Sequence, residues 1–241
     1  MPTLPTVQQL QFALRQMLPS TIKSAADKIA DGEDSFDYPE ESQHLKKAVR
    51  IRRNEFITSR RCARTALSQL GVSPLPLPPD ENRIPRWPAG FIASISHCRG
   101  VCCAVAANKK TTSGLGIDLE QTTRMSNGVM KRILHPLEVN FAGMDQQVCS
   151  LLFSAKEAFF KTQFPIWGVW PNFEDLAFQA DPSTGQLIVA EVATHLPESL
   201  QYAASKMRFR HAFIQECVVT LCWLDNSDFP LNLEYENKFS K

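Results

Sequence analysis

Nowhere does this chain of 241 residues approach the roughly 20 consecutive apolar residues that span a bilayer, so no membrane span is expected. Its first residues, MPTLPTVQQLQFALRQM, lack the basic start and long apolar core of a secretory signal. Net charge is nearly absent, at a formal +1, which leaves no global field to attract nucleic acid or a membrane surface. Any anionic partner must be met by a local basic cluster. Gly-x-Ser-x-Gly is missing, so a hydrolase nucleophile elbow is not expected. Cys-x-x-Cys is missing too, and the seven cysteines are odd in number. In a strand the adjacent Cys102 and Cys103 point to opposite faces, which makes zinc through His97, Cys98, Cys102 and Cys103 awkward. Free buried thiols in a reducing cytoplasm are the expectation.

What is present is an ordinary globular composition, 44% apolar and 21% charged, enough for one large core or two moderate ones. The acidic stretch Asp31 to Glu41 reads as a loop. A long basic helix is expected from about His44 to Leu70, with Gly71 in the C-cap region. The proline-rich segment Pro74 to Pro88 reads as irregular. FIASIS and GVCCAVAA read as strands joined by His97-Cys98-Arg99-Gly100, and GLGIDLE as a third strand. Apolar residues at helix spacing predict a helix from about Gln146 to Gln163. LAFQA, QLIVAEV, KMRFRHAFI and CVVTLCWL complete the strands, the first two flanking an Asp-Pro-Ser-Thr-Gly turn. This irregular interleaving predicts an α+β fold. A boundary near Ser113 would divide the chain into residues 1–112 and 113–241.

Three groups of residues carry possible chemistry. Asp118 and Glu120 lie two apart in a strand and project from one face, where their mutual repulsion invites a hard cation or a basic group. An edge strand with a solvated acidic face is the plainer reading. Glu157 and Lys161 lie four apart on one helix face, which by itself describes a surface ion pair worth a few tenths of a kcal/mol. Ser96 and His97 end a strand, where hydroxyl and imidazole groups can grip a phosphate, although a lone turn histidine is more often structural.

The order Ser96-His97, Gly116-Ile117-Asp118-Leu119-Glu120, then Phe153-Ser154-Ala155-Lys156-Glu157 through Lys161 resembles the signature of the 4′-phosphopantetheinyl transferase superfamily. Length, the Trp87-Pro88…Ser-Ile-Ser-His-Cys run, Ser59-Arg60-Arg61-Cys62-Ala63-Arg64 and Asn82-Arg83-Ile84-Pro85 resemble its longer class, in particular the branch of enterobactin-pathway transferases. The resemblance covers roughly Arg52 to Lys161. It implies two similar α+β halves in one chain, with the site between them and a monomer as the unit. It also implies a reaction: a serine of a carrier protein attacks the β-phosphate of coenzyme A, and 3′,5′-ADP leaves. By resemblance, Asp118, Glu120 and Glu157 bind Mg²⁺, and Glu157 or a metal-bound water takes the serine proton. Lys161 stands near the reacting phosphate, and Lys156 close to the cofactor. Arg52, Arg60, Arg83, His97 and Ser96 hold the phosphorylated adenosine, and Glu138 matches a further acid of the site. Departures are Ser59, where that branch often has glycine, and Phe160, where tyrosine or isoleucine is usual. Two other readings compete: a non-catalytic module that binds coenzyme A or a carrier protein, and another Mg²⁺-dependent phosphate-ester enzyme such as a nuclease. Near-zero charge weighs against nucleic acid.

Overall fold

A computed structural model describes residues 4–31, 38–42, 45, 47–123, 125–180 and 186–229. Most of the acidic loop and the turn at 181–185 lie outside the described residues. The chain opens with α1 (Val7–Met17), begun by a capping box between Thr6 and Gln9 and burying Leu10, Leu14 and Met17. Then follow β1 (Ile22–Lys28), the short α2 (Pro39–Ser42) and α3 (Arg50–Ser68). The hairpin β2 (Phe91–Cys98) and β3 (Val101–Asn108) leads into β4 (Thr112–Gln121). Two short helices, α4 (Asn127–Ile133) and α5 (Pro136–Ala142), precede the long α6 (Gln146–Trp167). A small hairpin, β5 (Leu176–Ala180) with β6 (Leu187–Val192), and α7 (Glu198–Ala204) come next. A last hairpin, β7 (Arg208–Ile214) and β8 (Cys217–Asp225), ends the described fold.

Two antiparallel three-stranded sheets have the same plan. Their orders are β1-β3-β2 and β4-β8-β7, so in each a first strand and a hairpin share a sheet with the hairpin's second strand at the centre. A long helix separates first strand from hairpin in both, α3 in one and α6 in the other. The fold is therefore α+β in two similar halves. β5 and β6 form a separate two-stranded sheet inserted in the second half.

Apolar side chains fill three layers. One lies under α3, where Ala63, Ala66 and Leu67 meet Cys102, Ala104 and Ala106 of β3. The middle layer joins the sheets, with Cys103 and Val105 of β3 against Ile117, Leu119 and Val219. A third lies under α6. Strand alternation thus sends Cys102 and Cys103 to different layers. All seven cysteines are free and buried.

The halves meet along β2 and β4 without a backbone ladder. Ile117 N–H donates to Ser94 Oγ and Leu119 N–H to Ser96 Oγ, each at 3.1 Å. Serine side chains thereby satisfy two buried amides that would otherwise be unpaired. The structure also moves some expected limits. α3 begins at Arg50 rather than His44, because Val49 is extended (φ −64°, ψ 155°). β2 runs through His97 and Cys98, which shortens the turn to Arg99-Gly100.

Candidate active site

The glycine of Gly-Ile-Asp-Leu-Glu sets the site's first distance. A Cβ on Gly116 would overlap the Ala158 carbonyl oxygen and stand 2.6 Å from Thr162 Oγ1. Glycine lets α6 lie directly on β4. The approach brings Lys161 of α6 to Asp118 of β4, with Nζ 2.7 Å from Oδ1. Lys161 also donates to the Ile117 carbonyl at 3.0 Å and Ser96 Oγ at 3.3 Å. Ser96 in turn donates to Asp118 Oδ1 at 3.1 Å. Both halves of the chain contribute to this network. Lys161 is thus not half of a surface pair with Glu157; its salt bridge is to a strand acid.

Asp118 is only 4% exposed, and its Oδ2 is buried with no hydrogen-bond partner among the described residues. Burial, then the charge of Asp118, pushes the Glu120 carboxyl up to about 7. The same two causes raise Glu157, against the pull of Lys161. Burial alone would lower Lys161, but Asp118 and, after it, Glu157 together outweigh burial, and the ammonium is held more firmly protonated. Three carboxylates therefore sit near enough to burden one another. Among the described residues no three His, Cys, Asp or Glu side chains close into a metal cage. The orphaned Asp118 oxygen and the all-oxygen donor set suit a hard divalent cation whose shell a substrate phosphate completes.

Beside this cluster, a cavity of about 660 Å³ is lined by Arg52, Arg60, Arg83 and His97, the four basic positions singled out in the sequence. Arg60 is buried, donates from Nε to the Leu77 carbonyl at 2.8 Å and stacks over Phe56 at 4.1 Å. Burial lowers its pKa to about 10, so it stays charged at neutral pH. Glu55, which the sequence reading passed over, stands in the same wall. One oxygen of it is 3.2 Å from both Arg52 Nη1 and His97 Nε2. Its spacing three residues after Arg52 on a helix was the available signal. Burial lowers the His97 pKa, with Glu55 acting in the opposite direction.

Two further expected residues are bound to each other. The ammonium of Lys156, expected close to the cofactor, donates to Glu138 Oε2 (2.7 Å), the Ile133 carbonyl (2.7 Å) and the Phe173 carbonyl (2.8 Å). Glu138, expected as a further acid of the site, is fully buried and also accepts from Phe178 N–H and His135 N–H. The pair ties α6 to α5 and β5. Lys156 still borders an apolar cavity of about 270 Å³ with Glu157, Phe160, Trp170 and Phe173.

Fold and site together define a two-half α+β protein that gathers acids and a lysine on its seam, beside a basic cavity suited to phosphates. Residues 40–107 match the 4′-phosphopantetheinyl transferase N-terminal domain, and residues 114–222 match the 4′-phosphopantetheinyl transferase superfamily. The 4′-phosphopantetheinyl transferase PptT of Mycobacterium tuberculosis is 38% identical over 180 residues, 70% of this chain and 78% of that protein. The chain belongs to the 4′-phosphopantetheinyl transferase superfamily. The 4′-phosphopantetheinyl transferase Svp of Streptomyces mobaraensis is also 38% identical, over 61% of this chain and 63% of its own length. Enterobactin synthase component D of Salmonella typhi is 31% identical over 48% of this chain and 50% of its own. The match therefore spans less than two thirds of some of these relatives.

Proposed function

We propose that the chain transfers the 4′-phosphopantetheine group of coenzyme A to a serine of an acyl or peptidyl carrier protein, releasing 3′,5′-ADP. The observation that carries this reading is the placement of two unlike cavities around one seam. A basic one is lined by His97, and an apolar one by Glu157. Coenzyme A has the same polarity, with a phosphorylated adenosine at one end and an uncharged pantetheine arm at the other. Arg52, Arg60, Arg83 and His97 grip the phosphates through charge-assisted hydrogen bonds. The arm lies toward Phe160, Trp170 and Phe173. A Mg²⁺ held by Asp118, Glu120 and Glu157 would supply positive charge to the pyrophosphate where the P–O bond breaks.

The remaining roles fall to the chain's own groups. Ser96 fixes the rotamer of Asp118 and holds Lys161 against it. Lys161 must release one of its three acceptors to reach a phosphate oxygen, and there it stabilises the leaving 3′,5′-ADP. Glu157, made more basic by burial and by Asp118, takes the serine proton. A site to which both halves of one chain contribute supports a monomer as the acting unit. Seven free buried thiols suit a reducing cytoplasm, and among the described residues no helix is long and apolar enough to cross a membrane. Intact-mass analysis of an apo carrier protein incubated with the protein, coenzyme A and Mg²⁺ tests the proposal. A gain of one phosphopantetheine group is expected. Unchanged mass across acyl and peptidyl carriers would refute it.

A further inference from the structure

Glu55 stands where electrostatics alone would not put an acid. It lies in the wall of the basic cavity with Arg52, Arg60, Arg83 and Arg86, where it repels the phosphates that those arginines attract. Its side chain is 23% exposed, and one oxygen, Oε2, meets both Arg52 Nη1 and His97 Nε2 at 3.2 Å. The contact with His97 has a chemical consequence. A neutral imidazole that donates from Nε2 keeps a lone pair on Nδ1, and a lone pair offers a phosphate oxygen nothing. Nδ1 becomes a donor only when the ring takes up a proton.

Several elements bear on that protonation. Burial lowers the His97 pKa, so in the free protein the ring is neutral at pH 7.5. Glu55 of α3 opposes burial by charge and by hydrogen bond, whereas Arg52 of α3 and Lys161 of α6 act with it. The proline-rich loop adds Asp80 and Glu81, with Arg83 and Arg86, to the cavity of about 660 Å³ that His97 lines. A second cavity of about 530 Å³ places His97 and Glu55 with Asp31, Glu120, Arg50 and Arg99. Asp80 accepts from Ile84 N–H at 2.8 Å, and Asp31 meets Lys28 at 2.7 Å. Of all these acids, Glu55 is the one bonded to the ring.

We propose that Glu55 and His97 form a dyad that makes binding of the nucleotide's 3′-phosphate proton-linked: the dianion draws a proton onto Nδ1 while Glu55 holds Nε2–H. The proton comes from solvent and returns to it when 3′,5′-ADP leaves. Glu55 is a positioning residue, acting through His97. The proposal rests on the transferase reading and adds how the phosphorylated end of the cofactor is discriminated. Calorimetry without Mg²⁺, in two buffers of different ionisation enthalpy, counts the protons taken up as 3′,5′-ADP binds. 5′-AMP, which lacks only the 3′-phosphate, is the control. At pH 7.5 that phosphate is already ionised, its second pKa being about 6, so uptake reports on the protein. The parent should take up protons with 3′,5′-ADP and none with 5′-AMP. Its affinity for 3′,5′-ADP should fall about tenfold from pH 7 to 8.5. Glu55→Gln keeps an oxygen for both contacts and should melt close to the parent. It should take up no proton, bind 3′,5′-ADP about tenfold more weakly at pH 7, and lose the pH dependence although Glu120 is intact. A simply repulsive acid predicts the reverse, because removing its charge would tighten binding. The His97 imidazole resonances, identified by their absence in His97→Asn, should move to imidazolium positions with 3′,5′-ADP in the parent and stay in Glu55→Gln. Equal proton uptake by parent and Glu55→Gln, or tighter binding by the variant, would overturn the dyad and leave the transferase reading intact. A parent that does not bind 3′,5′-ADP would overturn both.

Discussion

Lys161 holds two functions in one ammonium group. At rest its protons go to Asp118, Ser96 and the Ile117 carbonyl, and it neutralises an aspartate that is almost fully buried. A helix-surface pair would be worth only about 0.3–0.5 kcal/mol. Truncation here instead leaves Asp118 facing two other carboxylates. Lys161→Ala should therefore cost about 1–3 kcal/mol in stability, read from denaturant melts of the metal-free protein. Turnover should fall on the order of a hundredfold, as for other donors aimed at developing charge. Lys161→Arg should recover little, since a planar guanidinium cannot occupy the three acceptors an ammonium serves. Near-parental turnover in Lys161→Ala would make it a structural counter-ion only. Sequence spacing alone pairs Lys161 with Glu157; only the depth of α6 on β4 reveals Asp118 as its partner.

That depth is a property of elements. Gly116 faces the Ala158 carbonyl and Thr162 across the β4–α6 contact, and Gly114 faces Thr162 Cγ2 at 2.8 Å. Gly116→Ala should force the helix off the strand, costing about 3 kcal/mol and pulling Lys161 from Asp118. A melt unchanged from the parent would show that the contact gives way freely. Such a glycine is visible in the sequence, but its partner is not. The same limit applies across the fold. Strands with strong β-branched or apolar patterns, such as β3, β4 and β8, are legible, as is the amphipathic α6. α1 was legible but passed over, in the Thr6/Gln9 capping-box pattern and in Leu10, Leu14 and Met17 at helix spacing; β1 escaped because Ile22–Lys28 has no clear alternation, and α4 and α5 because seven residues give too short a period. Equivalence of the halves is hidden for a different reason. They share the order of strand, helix and hairpin, while their side chains answer to different neighbours. In the site, the spacing of Arg52, Arg60, Arg83 and His97 marks no common cavity until α3, the proline-rich loop and β2 are packed together. The pairing of Lys156 with Glu138 is hidden in the sequence, where Lys156 adjoins Glu157, because a helix turns neighbouring side chains about 100° apart.

At the scale of the molecule, the seam between the halves stores unfavourable charge that a cation should relieve. Glu120 titrates near 7 in the folded protein against about 4.5 when unfolded, and Glu157 is shifted the same way, first by burial and then by Asp118. Between those values the folded state holds more protons than the unfolded state. The stability that these groups contribute is present below about pH 4.5 and is lost as pH rises through about 7. Lys161, raised from an already high value, stays charged throughout this window and does not offset the trend. A divalent cation that takes the ionised carboxylates adds stability by mass action, and more of it where those carboxylates are ionised. Added Mg²⁺ should therefore raise the melting temperature clearly at pH 8 and little at pH 5.5. Glu120→Gln isolates the seam from other titrating groups. It should flatten the fall in metal-free stability between those two values and weaken the Mg²⁺ shift at the higher one. Equal Mg²⁺ shifts at both pH values, or a parent and Glu120→Gln with parallel pH profiles, would place the cation away from this seam.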